Sequence, residues 1–226
     1  MPMTLSVILY WITAYLIGSI PFGWLIVWFL KRKDIRYYGS GRMGMSNVLR
    51  VTNTFWGIVT AVLDVLKGFA GVHAAHLFFT DVEPWMTTFG ALLTVVGHIY
   101  SIFLLERRRD GKLWFRGGAG GLTSGGAAAA LWPGVLWFFP LPCLLIYLFT
   151  GYASMAVGMF NIFNLIGYIV GASLGKCSWW YTLYAVGAEI LVLLTLRPNI
   201  KRLKQGRERK SSLRIRWRKE DRENKK

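Results

Sequence analysis

The chain is poor in cysteine, histidine and acidic side chains, with two cysteines, three histidines and 11 aspartates and glutamates in 226 residues. Cys143 and Cys177 belong to no CxxC or Cys/His spacing, so there is neither a metal signature nor a disulfide framework. The three histidines sit in no evident Ser/His/Asp arrangement. Charged residues reach only 17% against a usual share of about 25%, which argues against a disordered chain or a coiled coil. No internal repeat is found.

What fills the chain is apolar. Hydrophobic residues make up 54%, aromatic residues 15%, and mean hydropathy is +0.40. Ordinary soluble domains stay near about 45–50% apolar even with glycine counted. A membrane span needs about 20 apolar residues, and helices are the form that satisfies its backbone in lipid. Apolar runs cover 5–30, 54–79, 86–105, 122–149, 152–174 and 179–196. The fourth is interrupted at Trp132-Pro133-Gly134, which reads as a helix end and a turn. Divided into pieces 117–131 and 134–150, it brings the number of spans to seven. The first run has no basic segment before it and is long enough to span, so it reads as an anchor rather than a cleavable signal peptide.

Charge supports that number. Lysine and arginine total 27 for a net charge of +16, and more than half of them lie between Arg197 and Lys226. Most others fall in 31–50 and 107–116. Seven spans with the N-terminus outside place all three clusters on the cytoplasmic side and leave only Lys176 outside, as the positive-inside rule requires. Six spans would strand either the first cluster or the tail. The expectation is an all-α, polytopic integral protein of the cell (inner) membrane with seven transmembrane helices. Residues 1–200 form the membrane domain and 201–226 a basic cytoplasmic tail that starts as a helix. Because the basic clusters flank apolar runs, their partner is the lipid bilayer and its anionic headgroups, not nucleic acid. Nothing in the sequence fixes an oligomeric state.

Several polar groups stand where lipid disfavours them. Gly18-Ser19-Ile20-Pro21-Phe22-Gly23 lies inside the first run, as a bend or as small-residue packing. Gly39-Ser40-Gly41-Arg42-Met43-Gly44 and the following Asn47 and Arg50 read as a loop whose amides, hydroxyl and guanidinium suit phosphate. A juxtamembrane linker with topology-setting arginines is the plainer alternative. Asp64 and Lys67, three apart, share a helix face as a buried pair or a functional one. His98 in the third run reads as a hydrogen-bonded structural residue. Arg116-Gly117-Gly118-Ala119-Gly120-Gly121 opens an apolar helix, an arrangement that offers free amides and the positive dipole end to an anion. Asn161 and Asn164 share a face and either line a cavity or bond between helices. Pro198 fits the first turn of a new helix after the last span.

These blocks, in order, resemble the bacterial acyl-phosphate:glycerol-3-phosphate acyltransferase family (PlsY type) over nearly the whole chain. The resemblance rests on Gly18–Gly23, Gly39-Ser40-Gly41 with Asn47-Val48-Leu49-Arg50, and Asp64-Val65-Leu66-Lys67-Gly68. It continues through Gly97-His98 with Phe103, the glycine loop at 116–121, and Asn199-Ile200-Lys201-Arg202 with Gly206 and Glu208. It implies a seven-span membrane enzyme with its motifs on the cytoplasmic side. The implied reaction moves a fatty acyl group from acyl phosphate to the 1-hydroxyl of glycerol 3-phosphate, giving lysophosphatidate and phosphate in phospholipid synthesis. No cofactor, no metal and no acyl-enzyme are implied, and the substrate's own phosphate can take the hydroxyl proton. The resemblance gives Ser40 and Arg50 catalytic roles. It gives Gly39, Gly41, Asn47, Arg116, Gly117, Gly118, Gly120 and Asn199 substrate-binding roles, and leaves Asp64, Lys67, His98 and Glu208 as structural.

The chain also departs from the family pattern. Arg42 stands where asparagine is usual, Ala119 replaces the second lysine of the glycine loop, and Leu196 replaces a histidine. About nine residues, 106–114, look inserted. Arg42, Lys112 or an arginine of the insertion could restore the lost positive charge. Ala119 and Leu196 also motivate an alternative function, a non-catalytic or substrate-shifted relative that binds or moves an anionic lipid or metabolite. A general transporter lacks the paired half-sites of inverted repeats.

Overall fold

The computed structural model describes residues 3–107, 113–208 and 210. Most of the tail expected at 201–226, and Lys112 with Arg108 and Arg109, lie outside the described residues. The first apolar run forms α1 (Met3–Ser19) and α2 (Phe22–Lys31). The break falls at Ile20-Pro21, because proline has no N–H and restricts the residue before it. A short α3 (Met45–Val51) follows, then α4 (Thr54–His73) and α5 (Pro84–Ile99). The expected loop at 39–50 is therefore half helix: α3 starts at Met45, so Asn47 and Arg50 project from helical backbone.

After α5 the chain makes a small antiparallel hairpin, β1 (Leu105–Arg107) and β2 (Leu113–Phe115), with Glu106 opposite Trp114. Of the apparent insertion at 106–114, the described residues 106, 107, 113 and 114 lie in these two strands, so the described chain is predominantly rather than wholly α-helical. The hairpin is anchored to the turn at 34–37. Tyr37 donates to Glu106 Oε1 at 2.8 Å, and Arg36 lies 3.5 Å from Glu106 Oε2 while donating to the Leu104 carbonyl.

The remaining helices are α6 (Gly121–Leu131), α7 (Pro140–Thr150), α8 (Ala153–Ser173) and α9 (Trp180–Lys204). Six described helical segments are long and apolar enough to cross a membrane: Met3–Lys31, Thr54–Leu77, Pro84–Leu104, Pro133–Thr150, Ala153–Ser173 and Trp180–Lys204. The fourth of the seven expected spans, α6, has 11 residues. At 1.5 Å per residue it is roughly 16 Å long, about half the hydrocarbon thickness. It survives because it is the buried centre of the bundle, in contact with α4, α5, α8 and α9. Its crossing with α4 is close: a Cβ on Gly126 would lie 1.9 Å from the Val65 carbonyl oxygen. Small residues let helix backbones approach where hydrophobicity alone gives no reason to associate. The outer faces are large and apolar. In α1, Leu5, Ile8, Ile12 and Leu16 are exposed, while Val7, Tyr10, Ala14 and Gly18 turn inward. Pro198 does not begin a new helix, since α9 runs through it to Lys204.

Candidate active site

One cavity of about 400 Å³ is lined by residues of seven helices, α3 to α9, and of the 39–44 turn. Its lining includes Gly39, Ser40, Arg42, Asn47 and Arg50 from the first polar block, and Asp64 and His98 from α4 and α5. Ala119–Leu122 at the start of α6, Tyr147, Ser154 and Val157, and Leu196, Asn199, Arg202 and Glu208 complete it.

The 38–42 turn is held by Asn47, which is 2% exposed. Its Nδ2 donates to the Tyr38 carbonyl at 3.0 Å and the Arg42 carbonyl at 2.8 Å, and its Oδ1 accepts from the Ser40 amide at 2.9 Å. Asn47 therefore shapes the turn that presents Ser40. Gly39 has φ +61°, and a Cβ there would lie 2.0 Å from Asn47 Oδ1, so the turn and the asparagine fit only with glycine between them. Gly41 also has positive φ but does not line the cavity.

Three arginines border the cavity. Arg202 is committed: its Nε donates to Glu208 Oε2 at 2.9 Å. Glu208 Oε1 accepts from Asn199 Nδ2 at 2.8 Å and from Ser154 Oγ at 3.4 Å, which ties the end of α9 to the start of α8. Arg50 is exposed and has no ion-pair partner among the described residues. Arg42 is half-buried, and its Nη2 donates to the Thr195 carbonyl of α9. Burial pulls the Arg42 guanidinium below its ordinary value, Arg202 acts the same way, and Glu208 opposes both.

Behind this rim, Asp64 Oδ1 lies 3.2 Å from Lys67 Nζ and 3.6 Å from His98 Nδ1. Lys67 Nζ also donates to the Ile20 carbonyl at 2.8 Å. That oxygen sits at the α1–α2 break, so the lysine stabilises the bend and does not itself line the cavity. His98 Nδ1 meets Thr123 Oγ1 at 3.1 Å, and the Gly118 amide donates to the His98 carbonyl at 3.0 Å. A Cβ on Gly118 would lie 2.0 Å from His98 Nε2, and one on Gly117 2.1 Å from the His98 carbonyl oxygen. Gly117 and Gly118 are thus placed by packing on α5, outside the cavity lining, and Gly120 alone of the three lines it. Arg116 is also outside it. Its Nη1 donates to the Arg36 carbonyl at 2.8 Å, and its guanidinium lies 4.0 Å from the Trp114 ring centroid.

The start of α6 faces the cavity. Gly120 precedes the helix in the left-handed conformation, φ +91°, and no side chain caps it. The first amides of a helix have no intrahelical acceptor and carry the positive end of its dipole, which favours an anion. Thr195 Oγ1 donates to the Val192 carbonyl within α9 at 2.7 Å and, as a shared contact, reaches the Ala119 carbonyl of this turn at 3.1 Å. Tyr147, Ala153, Val157 and Leu122 form an apolar flank that the sequence did not disclose. An aromatic residue within an apolar run carries no separate signal. Asn161 and Asn164 are not in the cavity lining; Asn161 Oδ1 accepts from Ser124 Oγ at 2.6 Å, a bond between α8 and α6. The described residues contain no group of three or more His, Cys, Asp or Glu placed to hold a metal ion.

Comparison with known proteins gives the family. A family model described as glycerol-3-phosphate acyltransferase matches residues 8–206. A glycerol-3-phosphate acyltransferase of Thermotoga petrophila is 37% identical over 206 residues, covering 89% of this chain and 95% of the relative. One from Thermus thermophilus is 38% identical over 200 residues, covering 87% and 91%. The crystal structure of PlsY, an integral membrane glycerol 3-phosphate acyltransferase in its glycerol 3-phosphate form, is 34% identical with a TM-score of 0.75. That match covers 91% of this chain and 95% of the other. A lysophosphatidic acid form of PlsY gives 33% identity and a TM-score of 0.73, with 92% and 96% covered. With family model, relatives and structures all spanning nearly the full length, the chain belongs to the glycerol-3-phosphate acyltransferase family.

Proposed function

We propose that this membrane protein transfers a fatty acyl group from acyl phosphate to the 1-hydroxyl of glycerol 3-phosphate. The hydroxyl oxygen attacks the acyl carbonyl carbon and a new ester C–O bond forms. The bond from that carbon to the phosphate oxygen breaks, and its electron pair leaves with phosphate. The hydroxyl proton ends on a phosphate oxygen. Products are lysophosphatidate and inorganic phosphate.

Because phosphate leaves readily, the protein's work is to position two anions and to offer charge where it accumulates. The observation that carries this reading is the cavity itself. Arg42 and Arg50, free of carboxylate partners among the described residues, share it with Ser40, Asn199 and the uncapped start of α6. Ser40 and Arg50 receive the phosphate of glycerol 3-phosphate. The Gly120–Leu122 amides receive the acyl phosphate, and its chain runs along Leu122, Tyr147 and Val157. His98, held between Thr123 and Gly118, keeps a structural role in this reading. Asn47, Asp64, Lys67 and Glu208 act as supports.

We also infer seven crossings with the N-terminus outside. The cavity is lined both by the start of α6 and by Tyr147 near the end of α7, so the chain between them goes out and returns. The short α6 makes its crossing inside the protein. The basic 31–50 segment and the end of α9 then share the cytoplasmic side.

The test is a phosphate-release assay on purified protein in detergent. Release from palmitoyl phosphate is expected only when glycerol 3-phosphate is added, with lysophosphatidate formed in equal amount. Arg50→Ala is expected to cost about 1.5–3 kcal/mol in kcat/KM, the range of a charged hydrogen bond. No glycerol 3-phosphate-dependent release, beside an active relative, refutes the reading.

A further inference from the structure

The cavity's charges have an unequal distribution of partners. Asp64 is paired with Lys67 at 3.2 Å and Glu208 with Arg202 at 2.9 Å. Among the described residues this leaves Arg42 and Arg50 as lining guanidiniums without a carboxylate. The proposed reaction brings in two phosphate groups, each carrying about −1.5 to −2 near neutral pH. One exposed arginine beside the Ser40 turn serves one of them, and the second phosphate needs its own cation.

Arg42 is placed for it. The 38–42 turn carries the residue into the cavity, and Asn47 fixes that turn by accepting from Ser40 and donating to the Arg42 carbonyl at 2.8 Å. Nη2 then docks on the Thr195 carbonyl of α9. The Thr195 hydroxyl bonds the Val192 carbonyl at 2.7 Å and also reaches the Ala119 carbonyl at 3.1 Å, one residue before the uncapped α6 turn. The guanidinium is thus tied, through one residue, to the turn whose amides face the cavity. A guanidinium has five N–H donors, and the described protein engages one nitrogen, Nη2.

We infer that Arg42 is a catalytic residue of this chain, which pairs with the donor's phosphate at the start of α6 and stays on it as it leaves. The inference rests on the acyl phosphate reading above. As the carbonyl carbon–oxygen bond breaks, the electron pair moves onto the phosphate oxygen. A fixed cation there is favoured more in the transition state than before it. The residue at 119 is alanine, so no charge in the turn itself competes for that place.

The test uses full-length protein in detergent and reads binding apart from turnover. Palmitoyl phosphonate, a hydrolysis-resistant donor analogue, is titrated into wild type and Arg42→Gln, which removes the charge but keeps an N–H donor for Thr195. Arg42→Met, of similar length and also uncharged, is the second such variant should the first not fold. Either variant is expected to bind the phosphonate roughly 10- to 100-fold more weakly and to lower kcat. KM for glycerol 3-phosphate is expected to stay within about 3-fold, and Arg42→Lys to recover part of the loss. A folded uncharged variant that binds phosphonate like wild type overturns the inference. So does a lysine variant as impaired as the glutamine one with a lowered Tm, which marks a tether and nothing more. Wild type that binds phosphonate in an Arg42-dependent way but never releases phosphate overturns the transferase reading instead.

Discussion

Lys67→Met tests whether the buried pair holds the bent first span in place. Methionine has nearly the length of lysine, so the change removes charge and donors while keeping most of the volume. In the structure it deletes the 3.2 Å contact to Asp64 and the 2.8 Å bond to the Ile20 carbonyl. Asp64, 2% exposed, is left with His98 Nδ1 at 3.6 Å as its nearest charged-capable neighbour. Removing one partner of a buried pair costs about 3–5 kcal/mol, because the other charge stays buried. For a chain of this size that corresponds to a fall in Tm of roughly 6–20 °C. The readout is thermal unfolding in detergent, followed by tryptophan fluorescence. Asp64→Asn in the Lys67→Met background removes the stranded charge and is expected to restore about 1–3 kcal/mol. A single variant within about 0.5 kcal/mol of wild type, or single effects that simply add, refutes the argument that the pair is one unit.

Two further perturbations follow from the loops around the cavity. Gly118→Ala places a Cβ 2.0 Å from His98 Nε2, so the imidazole must leave Thr123 or the turn must lift; a loss of about 1–3 kcal/mol in stability is expected, and a wild-type Tm with full phosphate release speaks against the packing role given to this glycine. Asp34 accepts from the Arg36 amide and guanidinium, with Nη2 at 2.6 Å. Burial alone would raise its carboxyl, but the Arg36 hydrogen bonds and charge prevail and hold it below the usual carboxylate value. A depressed folded-state value means the stabilisation is complete above the unfolded value near about 4 and fades as pH falls through the folded one. Tm measured from pH 7 to pH 2.5 is expected to fall less steeply in Asp34→Asn than in wild type, and superimposable normalised curves would show that this carboxylate contributes nothing.

The membrane helices were legible because their apolar runs are long and the polar intruders few. The break at Ile20-Pro21 announced itself through proline and the surrounding small residues. Other placements could not be read from the sequence, for different physical reasons. Met45–Val51 is a seven-residue helix, too short to show a periodic face, and the preceding glycines coloured the whole block as loop. Pro198 suits the first turn of a helix, yet α9 runs through it to Lys204. Arg116 stands beside the glycines in sequence, but its guanidinium donates to the Arg36 carbonyl and lies over the Trp114 ring, outside the cavity lining. Glycine spacing likewise could not separate Gly120, which faces the cavity, from Gly117 and Gly118, which lie on α5. Such distinctions depend on which helix end arrives opposite, and that is a tertiary fact.

The same construction explains how the site accommodates Ala119 and Leu196. Its backbone is fixed by groups that do not reach toward the reactants: Asn47 on the 38–42 turn, the His98 carbonyl on the Gly118 amide, and the Thr195 hydroxyl on the Ala119 carbonyl. Asn199 and Arg202 converge on Glu208 in the same manner. Side chains that project into the cavity from these fixed points can change without disturbing the frame. A positive charge therefore need not come from the α6 turn itself. On the reading proposed above it comes from Arg42, whose guanidinium docks on the Thr195 carbonyl of α9. The anion requirement constrains where charge sits in space, and this fold allows more than one chain segment to deliver it.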